Sequence, residues 1–493
     1  MHLDHLRNEL ADIEISIIRQ RLLLEELEER KAAVRAELDG FVFPVLTLPP
    51  EITAEIFLQL ALGDSNDDDS RDFQGVLLIL AVCRTWRTLA LSVPALWATL
   101  NLRTLAWRPN APGEMEELVD TWFSRAGALP LSLNWFGNLE QSSGQLNTII
   151  GRHALRLQSL HIGIDMGCVS DLIDSIPFPR LELLALENYD DIAPDMPVST
   201  FGEAPQLRHV SLQRVSPSSL ILPWGLLEIF SATFITPHQC LYVLRAAPLL
   251  RKFDFYGSPE GSFDDDEAVI LHLRLTSFRL CNGGQEIVQY LALPALEVLS
   301  FENLPGLDDD IFLPFLSRLR GSLRDFTISC RGRLVLISPQ WFQHMPHLTD
   351  LNLARLQPQS RAGFVRALNR HHKREFLPAL KNLTFMDWQP FEVDIELLDA
   401  LATRCTQMEA DEGHMRMPLK SLRLIWEVDY PVTSVPSLID IENLVQRHGV
   451  ALRDLRRRGM GIHIGTKDCN YLFLSGDRWK LEISLKAVFP WHA

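Results

Sequence analysis

Residues 44–102 read PVLTLPPEITAEIFLQLALGDSNDDDSRDFQGVLLILAVCRTWRTLALSVPALWATLNL, and the rest of the chain divides around them. Pro49 and Pro50 preset φ for a first helical turn, where a missing N–H costs nothing, and Glu51 suits the positive helix end. Ile52, Ile56, Phe57 and Leu60 recur at helical spacing, Gly63 closes that helix, and 64–72 is an acidic loop. The apolar run from Val76 opens a second helix, read as continuous through Trp86 to Ala90, and a Pro-Ala-Leu-Trp turn follows at 94–97. This second helix is apolar on nearly every side. Two helices so short cannot bury that surface against each other alone, so the surplus must meet the downstream chain or a partner.

Upstream lies a heptad pattern. Leu3, Leu10, Ile17, Leu24, Lys31 and Leu38 share one seam position, and Leu6, Ile13, Gln20, Leu27 and Val34 share the other. Nine of these eleven are apolar and no Pro or Gly intervenes before Gly40, which predicts one helix over 3–38 and a coiled-coil candidate. In a parallel homodimer Glu9 would face Glu14 and Arg30 would face Arg35, like against like. A coiled-coil partner of another kind, or packing back on the chain itself, therefore stays open for this helix.

Downstream, a frame L-x-x-Φ-x-Φ recurs from Leu157, Leu181, Leu207, Leu227, Leu250, Leu275, Leu296, Leu323, Leu348, Leu380 and Leu419, at intervals of 20 to 39 residues. Its fourth and sixth positions are apolar throughout. The fifth reads His161, Ala185, Ser211, Ser231, Asp254, Arg279, Ser300, Thr327, Asn352, Thr384 and Arg423, never a large apolar residue. This is the signature of a short strand with one buried and one exposed face, and such strands stack into a solenoid with a parallel sheet. Helical return segments fit 237–247, 310–319, 363–371 and 395–404. One further helix to about 458, then apolar strands at 471–474 and 481–485, cap the end.

At 493 residues the chain implies several domains or a repeat array, and 47% apolar against 22% charged residues makes it globular. A net charge of −16 argues against tracking nucleic-acid phosphates or anchoring on anionic lipid. Seven scattered cysteines with no C-x-x-C pair read as reduced core thiols, and the N-terminus is no signal peptide. A cytoplasmic or nuclear protein is expected. The glycines of 459–465 imitate a dinucleotide loop, but the third comes one residue late. The acids of 64–72 imitate a calcium loop without its Gly and final Glu. Asn382-Leu-Thr384 matches a glycosylation acceptor inside a predicted strand. No catalytic constellation, cofactor loop or metal-ligand spacing emerges, so a non-catalytic protein without a cofactor is expected.

Leu48, Pro49, Ile52, Ile56, Phe57, Leu60, Leu80, Val82, Cys83, Trp86, Leu89 and Trp97 fall where F-boxes carry their signature, and Val-Cys-Arg-Thr-Trp-Arg at 82–87 is its most specific part. The stretch resembles an F-box, the module by which substrate receptors hang on the Skp1-like adaptor of cullin-RING ubiquitin ligases. The array resembles leucine-rich repeats without the Asn expected at the ninth frame position, where Asp165, Tyr189, Val215, Ile235, Ser258, Gly283, Leu304, Arg331, Leu356, Trp388 and Glu427 stand. The resemblance implies an α/β architecture: a long helix (1–39), an F-box unit (44–102), an irregular leucine-rich-repeat-like solenoid (103–439) and a cap (440–493). It implies that the twelve signature residues contact the adaptor and, through it, a cullin, with Leu48 and Pro49 at the interface and Phe57, Trp86 and Trp97 open equally to a core or an interface role. An unknown protein target would meet the solenoid, where Asp254, Tyr256, Arg279, Glu302, Asn352 and Arg423 are the polar candidates. The rival expectation is a scaffold protein in which the F-box-like unit only caps the array.

Overall fold

The computed structural model describes the chain except residues 1, 40–46, 63–73, 104–112, 137–142, 165–175, 190–197, 258–267, 305–306, 320, 330–333, 370–375, 389, 406–418, 427–437, 468–469, 471, 476–477 and 482–493. The acidic stretch 64–72, the helix-closing Gly63 and the expected strand end at 482–485 thus lie outside the described residues. The chain divides into two compact units, Met1–Asn101 with Thr121–Leu129, and Leu102–Asp120 with Pro130–Ala493. No described helix is long and apolar enough to cross a membrane.

In the first unit, α1 spans His2–Asp39, α2 Pro50–Leu62, α3 Gln74–Val82 and α4 Arg84–Ser92, followed by a 3₁₀ turn at Pro94–Trp97. At the start of α2 the Pro49 carbonyl accepts from Thr53 twice, from its N–H at 3.0 Å and its hydroxyl at 3.2 Å. The expected single helix over 76–90 is in fact two. Cys83 is extended (φ −157°, ψ 171°) and its Sγ accepts from the Trp86 N–H at 3.4 Å, so it caps α4 instead of continuing α3. The break has a consequence for exposure. Val82 and Trp86, four residues apart, would share one face of a continuous helix, but here Val82 is exposed and Trp86 half-buried.

Among the described residues the main sheet has fourteen strands hydrogen-bonded in chain order. Its first strand, Thr99–Arg103, contains the position where the units divide, and the others belong to the second unit. From Leu131–Phe136 to Gly461–Gly465 every neighbouring pair is parallel. Frame positions one, four and six are buried in all eleven repeats, as the alternation requires. The frame misses three strands. Thr99–Arg103 and Leu131–Phe136 precede it, and Gly461–Gly465 extends the sheet beyond 439. The dinucleotide-like glycines therefore lie in and beside a strand, with Arg423 opposite His463.

Return segments pack on the buried side. Pro237–Ala246 begins with a capping box, Thr236 accepting from the Gln239 N–H while Gln239 Oε1 accepts from the Thr236 N–H, and it buries Cys240, Leu241, Val243 and Leu244. Asp309–Arg318 is capped by Asp308, and Ile395–Cys405 lies near its expected bounds. The helix expected at 363–371 starts earlier, at Pro358, where proline suits the first turn, and ends at Leu368. Arg404 is buried and donates to three carbonyls, Leu368 at 2.6 Å, Leu377 at 3.0 Å and Phe376 at 2.5 Å. Helix Leu438–Arg457 precedes the last sheet strand, and an antiparallel pair, Leu472–Ser475 with Arg478–Leu481, follows it.

The missing Asn ladder has a substitute one position earlier. At the eighth frame position Arg214, Phe234, Asn282, Asn303 and Asp387 all hold positive φ, between 54° and 63°. This left-handed step turns the chain out of the strand. The N–H groups of Arg214, Asn282, Asn303 and Asp387 then donate to Thr233, Glu302, Ser329 and Ile425 of the next repeats. Asn303 Nδ2 donates to Asn282 Oδ1 at 3.1 Å, a short ladder of its own. Where bulky residues fill the turn, indoles take over: Trp388 Nε1 donates to Ala354 O at 2.9 Å and Trp426 Nε1 to Trp388 O at 2.8 Å.

Candidate docking surfaces

The first unit sorts its signature residues by depth. Phe57 is 1% exposed and meets Trp86 edge to face, with ring centroids 4.9 Å apart. Trp97 is fully buried, donating from Nε1 to Ala90 O at 2.9 Å, with Trp122 at 4.7 Å and the Arg125 guanidinium 4.4 Å above its ring. Both side chains lie inside the unit. They form the core, because a unit this small needs its largest rings inside to cohere.

The opposite holds along α2. Ile52, Ile56 and Leu60, four residues apart, form one strip at 51%, 42% and 56% exposure, and Leu48 and Pro49 are exposed at its N-terminal end. Val82 is exposed as well, while Leu80, Cys83 and Leu89 are half-buried. Leu77, Leu78 and Leu91 are also exposed large apolar residues. None of the three is in the signature set, although the all-round apolar character of 76–82 pointed to Leu77 and Leu78. Beside the strip, a cavity of ≈ 540 Å³ is lined by Leu48, Pro50, Thr53, Trp86 and Leu89 with Arg84, Thr85, Thr88 and Ser92. Trp86 Nε1 is buried without an acceptor among the described residues. A monomeric surface rarely leaves apolar side chains contiguous in this way, and such patches mark contact sites.

In the second unit the parallel register places the fifth frame positions in one row: His161, Ala185, Ser211, Ser231, Asp254, Arg279, Ser300, Thr327, Asn352, Thr384 and Arg423 lie side by side across the sheet. Tyr256 and Glu302 stand two residues on, in the adjoining row with Cys281. Arg279 gathers these groups. It pairs with Glu302 at 3.4 Å and hydrogen-bonds the Tyr256 phenol. Burial opposes its charge, but Tyr256, Glu302 and Asp254 together raise its pKa. Glu302 also accepts from Ser300 Oγ at 3.0 Å and from Cys281 Sγ at 3.5 Å. Burial, then the Glu302 carboxylate, pushes the Cys281 thiol up to about 12, so it is no nucleophile at neutral pH.

Asp254, within the row, is buried and pairs with Lys252 at 2.9 Å, so it offers little surface to a target. Asn352 is half-buried and donates to Thr327 Oγ1 at 2.9 Å; Arg423 is half-buried with His463 beside it. Asn382, of the glycosylation-like triplet, lies in a strand and donates to Asp350 of the neighbouring strand at 2.6 Å. The row thus carries charge of both signs, held by neighbours, on a face less exposed than the alternation implied: Ala185, Asp254, Ser300 and Thr384 are buried and the other members half-buried.

Residues 45–103 match the F-box-like family model. This stretch is an F-box-like domain. Its bounds take in the exposed strip, the Phe57–Trp86 ring pair and the Trp97 turn. No curated protein matches the chain. Among solved structures, a Bacteroides fragilis protein from a structural-genomics programme is similar, with 11% identity, a TM-score of 0.31, and coverage of 74% of this chain and 86% of that one. That likeness is too distant to carry any argument.

Proposed function

We propose that the chain is a non-catalytic substrate receptor of a cullin-RING ubiquitin ligase. The F-box-like domain docks a Skp1-like adaptor, and the sheet face around Arg279 and Glu302 receives a protein target for ubiquitin transfer by other subunits. F-box domains generally bind such adaptors, and the observation that carries the reading here is the exposed strip on the matched segment. Ile52, Ile56 and Leu60 stay open while Phe57 and Trp97 are spent on the core. A domain that served only to cap the array would have no reason to keep three aliphatic residues of one helix face in water.

The test is co-purification of the full chain with a Skp1-like adaptor, then the same with Leu48→Ala/Pro49→Ala. Truncating interface anchors costs about 2 kcal/mol, so the variant should bind roughly 30-fold more weakly. Absence of binding by the wild-type chain would remove this reading and leave the scaffold.

A further inference from the structure

Helix α1 leaves its apolar seam in water. Leu10, Ile13, Ile17, Leu24, Leu27 and Val34 are 43% to 58% exposed along one continuous helix, His2–Asp39. Helices draw most of their stability from packing such a face, so this seam needs an occupant. The charges beside the seam say which one.

In a parallel pair of copies, both charge-on-charge contacts flanking the seam are repulsive, position 9 (Glu) on 14 (Glu) and 30 (Arg) on 35 (Arg). Lys31 would also meet its own copy within the seam. Reversing one copy changes every contact. Antiparallel packing sets each a position against a d position, so 10 meets 27, 17 meets 20, 24 meets 13, and 31 meets 6 of the other chain. Leu10 then faces Leu27, Leu24 faces Ile13, Lys31 falls against an apolar position, and Gln20 lies against Ile17. The flanking positions become 14 with 21 (Glu on Arg), 7 with 28 (Arg on Glu) and 9 with 30 (Glu on Arg). All three are attractive, and the two-fold axis repeats each of them. Ile15, Ile18 and Leu22 lie off this seam and stay exposed in the pair.

We infer that α1 is an antiparallel homodimerisation helix, whose partner is α1 of a second copy of this chain. The pairing is independent of adaptor binding, since it uses no residue of the F-box-like domain. Antiparallel packing starts the two following domains from opposite ends of the helix pair, so one assembly would present two adaptor surfaces.

The experiment uses the full chain without adaptor. Light scattering after gel filtration should give the mass of two chains, and Glu14→Arg should raise the dimer dissociation constant by about tenfold, because it sets Arg against Arg21 of the other copy. Adding Arg21→Glu should restore it. With Ile13→Cys/Leu24→Cys, oxidation and peptide mapping should give a link between positions 13 and 24. A single-chain mass overturns the proposal. So do links of 13 to 13 and 24 to 24, which mark a parallel pair, or a double charge reversal that fails to restore what Glu14→Arg weakened.

Discussion

Phe57 and Trp86 meet edge to face at 4.9 Å, joining α2 to α4. That contact separates stability from docking on a single helix. Phe57→Ala removes the buried ring and should cost ~3–5 kcal/mol, seen as a fall in the denaturation midpoint of the domain. Ile56→Asp, one residue away on the exposed strip, should leave stability within ~0.5 kcal/mol while abolishing adaptor capture. If Ile56→Asp unfolds the domain, the strip belongs to the core.

His272 is buried between two backbone groups, Nε2 against Ala247 O at 3.0 Å and Nδ1 accepting from the Leu275 N–H at 3.1 Å. Burial lowers its pKa below 6.5, outweighing the Ala247 bond. The neutral ring suits both contacts, whereas a protonated Nδ1 could not accept. A depressed histidine contributes stability that is full above 6.5 and is lost as pH falls through the lower native value. The urea midpoint should therefore drop between pH 7 and pH 5, and His272→Asn, which retains an acceptor near Nδ1, should flatten that slope.

Asp325 lies beside Asp350 of the next strand, two residues before the row, and burial followed by Asp350 raises its pKa above 3.8, with Thr327 opposing through a hydrogen bond. The sign is the reverse of the usual carboxylate. Its favourable contribution is present below 3.8 and is lost as pH rises through the raised native value. Asp325→Asn can still accept from Asn352 and carries no charge, so its urea midpoint should exceed the wild-type value at pH 7. At pH 3 the two should coincide. An unchanged midpoint at pH 7 would show that the pair does not repel.

Arg404 closes the carbonyls of Leu368, Phe376 and Leu377 from within the second unit. Arg404→Leu leaves three buried acceptors without this donor and should cost ~3 kcal/mol or more, measured as a lower denaturation midpoint. Arg404→Lys should recover only part of that, since one ammonium cannot span the three oxygens that the planar guanidinium fork reaches.

Much of this protein was determined by the chain alone. The alternation L-x-x-Φ-x-Φ predicted the eleven central strands and the row from His161 to Arg423, because a period of two admits a single assignment of faces once the apolar positions are known. The string at 82–87 singled out the segment that proved to be F-box-like. The tertiary structure decided what local pattern could not. Cys83 splits a run of helix formers because its own thiol caps the next helix, a choice between two local hydrogen-bonding schemes that composition does not rank. The left-handed step falls even on Arg214, a residue with no preference for it, because the repeat stacked alongside accepts its N–H there. Gly461–Gly465 looked like a loop and is a strand, since Ser421–Ile425 offered it an open edge. Among twelve signature residues, only packing could send Phe57 and Trp97 inward and leave Ile52, Ile56 and Leu60 in water, because burial depends on which neighbours arrive.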